Sequence, residues 1–77
     1  MSQVRLTYVG PNHKNISKFS AKFWFIKLLG NSVEIRFGKI GSRGTVKVKP
    51  FGSPAEARGY FNDRIIEQKS EGYVSAA

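Results

Sequence analysis

The chain has 77 residues and a formal net charge of +8, with 13 Lys or Arg against five Asp or Glu. A length like this allows one domain with a modest core, burying about 60% of the surface its unfolded form exposes and leaving little apolar area for an enzyme pocket. With no cysteine there can be no disulfide, thiolate catalysis or cysteine-based zinc site, and the composition fits a reducing compartment.

The charge is uneven. Met1 to Ala55 carries ten bases and one acid, Glu34, whereas Glu56 onward carries four acids and three bases. Such asymmetry points to an anionic partner for the front two-thirds of the chain. The longest apolar run, Phe23 to Ile26, is far too short to span a membrane. Arg5, Thr7 and Gly10-Pro11-Asn12 interrupt any signal-peptide pattern at the N-terminus. The expectation is a soluble cytoplasmic monomer with no membrane contact and no cofactor.

In chain order, Val4 to Val9 alternates apolar and polar residues, as a half-buried strand does, and Gly10-Pro11-Asn12 ends it. A polar, basic connection runs from His13 to Ala21. Phe23 to Leu29 is a second strand with Trp24, Ile26 and Leu28 on one face. Gly30-Asn31 is a hairpin turn whose glycine-first order favours type II′. Val33 to Phe37 is a third strand with Val33, Ile35 and Phe37 on one side. Thr45 to Phe51 is a fourth, read with Val46 and Val48 inward and Lys47 and Lys49 outward. Pro50 lacks a backbone donor and belongs at a strand end or an edge.

Ser53-Pro54-Ala55-Glu56 starts a helix, with an N-cap serine, a proline at the first helical position and a glutamate placed for a capping box. Ala57, Phe61 and Ile65 recur at four-residue spacing and make its apolar face, flanked by Tyr60. Arg64 interrupts that face, and the simplest reading is an aliphatic stem over the core edge with its head in water. Gly72 reads as the C-cap, with Tyr73 folding back onto the sheet. The result is an α+β domain over residues 1–77, core about 4–74: a curled antiparallel sheet of about four strands with one C-terminal helix across it.

Catalytic readings fail early. His13 has no carboxylate within twenty residues of sequence, and Asp63 and Glu67 are four apart on a solvated helix face. Gly38, Gly41 and Gly44 match neither a phosphate-loop nor a dinucleotide fingerprint, because Gly38-Lys39 is followed by Ile40. They are read as turn glycines, Gly41 and Gly44 supplying positive backbone angles. The residues around them are distinctive in charge. From Arg36 to Phe51 there are five cations and no acid. A basic hairpin with aromatics beside its cations is equipment for gripping nucleic acid, rings stacking on bases or sugars and cations meeting phosphates.

KFWFIKL at Lys22 to Leu28, RFGKIGSRGTVKVKPFGS at Arg36 to Ser53, Glu56-Ala57, Phe61 and Gly72-Tyr73 together resemble the WGR domain, over about Val4 to Val74. The chain looks like a short free-standing or appended bacterial form. The resemblance implies a nucleic-acid-binding module; in poly(ADP-ribose) polymerases a domain of this type helps recognise a broken DNA end. Phe37 stands where the family has its tryptophan and Lys39 where it has its arginine, keeping a ring and a charge but losing bidentate geometry. Gln68 replaces a common lysine and Thr45 a common glutamine.

The combined expectation is a non-catalytic module that binds nucleic acid, DNA or its ends above all. Arg36, Lys39, Arg43, Lys47 and Lys49 would meet phosphates, and Phe37 would be a stacking or supporting ring. The alternative is a protein-interaction adaptor whose hairpin docks an acidic partner.

Overall fold

The structure, a computed structural model, describes residues 2–11 and 19–75. The connection from Asn12 to Lys18, with His13, lies outside the described residues, as does the side chain of Phe19.

Five strands form one open antiparallel sheet: β1 (Ser2–Pro11), β2 (Phe19–Leu29), β3 (Ser32–Lys39), β4 (Thr45–Pro50) and β5 (Val74–Ser75). Their order is β4-β3-β2-β1-β5, and one helix, α1 (Pro54–Ser70), packs on β2 and β3 from one face. This is the α+β arrangement expected, with one strand more. The added β5 is two residues long, pairing Thr7 with Val74 and Leu6 with Ser75.

Cross-strand register assembles the core. Trp24 stands opposite Phe37, Ile26 opposite Ile35 and Leu28 opposite Val33, while Leu6 stands opposite Trp24 on the other side. These residues share one face, and α1 adds Ala57 and Phe61, so Leu6, Trp24, Ile26, Val33, Ala57 and Phe61 form the buried cluster. Tight turns hold the register. Gly30 has φ +62° and, among the described residues, no non-glycine has positive φ, the pattern of a type II′ rather than a type I′ hairpin. Asn31 accepts a bond from the Phe51 N–H at 2.8 Å and donates from Nδ2 to the Phe51 carbonyl at 3.0 Å, pinning the turn to the end of β4.

The orientation of β4 corrects the expectation. Val46 and Val48 are 45% and 60% exposed and point away from α1, because they stand opposite Arg36 and Glu34. Lys47 and Lys49 stand opposite Ile35 and Val33, and so share the face that carries the core. The physical reason is the edge position. No described strand lies beyond β4, so long lysine stems can lie along the core's rim with their ammonium groups in water. Pro50 ends this edge strand. Since the Phe51 N–H points to β3, the Pro50 nitrogen points the other way, and its missing donor costs the ladder nothing.

Ser53 is the N-cap, its Oγ accepting from the Glu56 N–H at 3.2 Å, and Pro54 opens the helix. The return arm of the box differs from the usual one: Glu56 Oε2 accepts from the Gly52 N–H at 3.3 Å, one residue before the cap. At the far end Glu71 is the cap and Gly72 the residue after it, with φ +105°. Gly72 N–H donates to the Lys69 carbonyl and Tyr73 N–H to the Gln68 carbonyl, each at 3.2 Å, which is a Schellman motif. That motif turns Tyr73 back onto the sheet, where its ring meets Tyr8 with centroids 5.6 Å apart.

Candidate nucleic-acid interface

A cleft of about 470 Å³ opens between α1 and the sheet. Tyr8, Lys22, Trp24, Phe37 and Lys47 line its sheet side; Tyr60, Arg64, Gln68 and Glu71 line its helix side, with Tyr73 closing one end. Its ammonium groups sit over rings. Lys22 Nζ is 5.2 Å from the Tyr8 ring centre and Lys47 Nζ 5.8 Å from that of Phe37. Beside the cleft, Lys49 Nζ lies 5.1 Å from the Tyr60 ring centre, reaching from β4 to the helix, and 5.8 Å from that of Phe51. Each contact holds a cation where its charge stays exposed while its stem is packed. Phe37 is half-buried, packing on the core and facing the cleft.

Arg64, the residue that interrupts the apolar stripe, reaches this cleft. Its Nη1 donates to Glu67 Oε2 one turn on, while its Nε is buried with no partner. The reading of a stem on the core edge holds, but the head is partly enclosed. Tyr73 has its phenol pushed above the ordinary value near 10, first by burial, then by the charges of Glu71 and Tyr8.

The six residues singled out in the sequence do not share one surface. Phe37, Lys39, Lys47 and Lys49 stand on the helix-bearing face of the sheet, and Arg36 stands on the other. Arg43 lies in the turn between β3 and β4, where its backbone carbonyl accepts from Arg36 Nη1 at 3.4 Å. The turn between them uses its glycines differently. Gly41 has φ +94° in open space, whereas a Cβ on Gly44 (φ +73°) would come within 2.4 Å of the Phe37 carbonyl oxygen and 2.7 Å of Phe23 Cζ.

Sequence reasoning missed Lys22, Tyr8, Arg64 and Tyr73 as a group. Lys22 was visible in its motif, but its place directly opposite Lys39 depends on the β2–β3 register. Among the described residues no three His, Asp or Glu side chains gather where they could hold a metal ion. No described helix is long and apolar enough to cross a membrane.

Residues 11–77 match the WGR domain family. The chain belongs to that family. WGR domains are nucleic-acid-binding-type modules rather than catalytic domains. No curated protein matches the chain. Among solved structures, the crystal structure of a Bacteroides fragilis protein superposes with a TM-score of 0.77 at 33% identity, over 95% of this chain. This WGR chain spans only 19% of that protein's length. The family's defining position at the end of β3 is filled here by Phe37, Gly38 and Lys39, opposite Trp24, Phe23 and Lys22, and Phe37 lines the cleft.

Proposed function

We propose that this WGR domain is a non-catalytic DNA-binding module that receives duplex DNA, and its ends above all, against the helix-bearing face of the sheet. The observation that carries the reading is the convergence of Lys22, Lys39, Lys47 and Lys49 around a ring-lined cleft. Charge from three strands meets there at one side of the molecule. Lysines bind phosphate as point charges without demanding one geometry, which suits backbone contact rather than base reading. Phe37 would support a terminal sugar or base at the cleft's rim. Arg36 stands on the opposite face of the sheet and is not part of this surface. Arg43, in the turn between β3 and β4, would add charge at its edge. No helix basic enough to read a major groove is present among the described residues, so sequence-specific readout is not part of the proposal.

The test is a titration of blunt duplex, circular duplex and single-stranded DNA at two salt concentrations, with Lys47→Ala/Lys49→Ala beside the parent. The double variant should lower the log–log salt slope on duplex DNA by about 1 to 2. An unchanged slope would move the interface elsewhere. Absence of binding to any DNA would leave the protein-adaptor alternative, in which the same cations dock an acidic partner.

A further inference from the structure

The sheet face opposite α1 carries no helix, and register defines what it presents. One row across the strands reads Arg5, Phe25, Arg36, Val46. Beside it lie Thr7, Phe23, Gly38 on one side and Gln3, Lys27, Glu34, Val48 on the other. Glu34 is the one acid that β1 to β4 put on this face, against three cations.

Phe23 is only 5% exposed although no helix covers it. The Arg5 guanidinium lies 5.3 Å from its ring centre, and the turn after β3 closes on it at Gly44. The hairpin tip therefore bends toward this face, and Arg36 is tied to it through the Arg43 carbonyl. One row along, Phe25 is half-buried and stands between Arg5 and Arg36, both exposed. Neighbouring strands are about 4.8 Å apart, so the two arginines are rooted about 10 Å apart with a ring between them.

We propose that this helix-free face is a second binding surface and that its ligand is a single-stranded nucleic acid. A base would stack on Phe25, and backbone phosphates on either side would meet Arg5 and Arg36. The ring decides against duplex here, because paired and stacked bases hide their faces from a flat platform, whereas an unpaired base offers one. The charge decides for nucleic acid over an apolar partner: arginines are rooted on both sides of the ring, and the face carries three cations against one acid. This proposal uses none of the lysines of the helix-side cleft, so it stands or falls separately from the duplex reading.

The test compares a short oligothymidylate, which does not self-pair, with blunt duplex DNA. Arg5→Gln/Arg36→Gln removes the two flanking charges, and Lys47→Gln/Lys49→Gln is its counterpart across the sheet. The arginine pair should lower the oligothymidylate salt slope by about 1.4, at about 0.7 per phosphate contact, and leave duplex binding unchanged. Phe25→Leu, which keeps apolar bulk without the ring, should weaken the oligothymidylate roughly tenfold. Oligothymidylate binding that survives Arg5→Gln/Arg36→Gln overturns the proposal. So does a concentration-dependent dimer dispersed by Val48→Lys, which would assign the face to a second copy. If the oligothymidylate binds and responds while duplex does not bind, the cleft reading fails and this one stands; if neither DNA binds, both fall.

Discussion

Lys22 on β2 and Lys39 on β3 stand directly opposite one another on the cleft-bearing face of the sheet. Like charges in that relationship oppose pairing by on the order of a few tenths of a kcal/mol, a cost that an anionic ligand would remove. Only part of it is relieved internally, by the Tyr8 ring beneath Lys22 Nζ. Lys39→Gln should therefore raise the melting temperature by a few degrees at low salt, roughly 4–8 °C per kcal/mol for a domain this size. The gain should shrink at high salt, where screening already weakens the repulsion. The same variant should bind duplex DNA more weakly. A melting temperature that falls, or a gain indifferent to salt, would sink the idea.

The two turn glycines make a matched pair. Gly41→Ala forces a side chain into a left-handed conformation with free space around it, costing about 1–2 kcal/mol. Gly44→Ala adds a collision with the Phe37 carbonyl and the Phe23 ring, and should cost clearly more. Chemical denaturation of the two variants compares them directly, and equal midpoints would contradict the close approach of the turn to Phe23.

Ser53→Ala removes the hydroxyl that accepts the Glu56 N–H and should cost about 0.5–2 kcal/mol. Glu56 also bonds back to the Gly52 N–H, so Glu56→Ala should cost a further, smaller amount. Neither residue borders the cleft, and DNA affinity per folded molecule should stay the same. A large affinity loss in fully folded Ser53→Ala protein would show that cap and interface are coupled.

Tyr73 predicts an alkaline limit. Burial favours its neutral phenol, so its folded-state pKa lies above the unfolded value near 10. The folded chain then holds the proton more tightly than the unfolded chain, and stability falls as pH rises. Tyr73's contribution is intact below pH 10 and is lost as pH climbs through the raised folded value. Tyr73→Phe cannot ionise and should flatten the fall in melting temperature above about pH 10. Identical slopes for parent and variant would refute this.

Most of the fold was legible because it rests on local signals. Alternation around Trp24-Phe25-Ile26, the Gly30-Asn31 turn and the Ser53-Pro54 start each act within a few residues. What escaped depends on neighbours distant in sequence. Thr45 to Pro50 alternates valine with lysine, and period two says only that Val46 and Val48 share a face; pairing with Ile35 and Val33 decides which face. The two residues of β5 are too few to show a period at all. For the candidate site, the cations themselves were legible as charge. Their division between two faces was not, nor was the grouping of Lys22 and Arg64 with Lys47, which needs both the β2–β3 register and the packing of α1.

The strand order also bears on how the chain is made. Among themselves, β1 to β4 pair only with sequence neighbours, so each hairpin can close as soon as its second strand leaves the ribosome. Their shared apolar face, with Leu6, Trp24, Ile26 and Val33, has no cover until Ala57 and Phe61 follow in α1. The β5 pairing joins the last described residues to β1 and must come later still. A nascent chain that has emerged only as far as a point between Pro50 and Phe61 would therefore be a four-stranded sheet with a bare hydrophobic side. That is the stage at which chaperone engagement or aggregation should peak during synthesis.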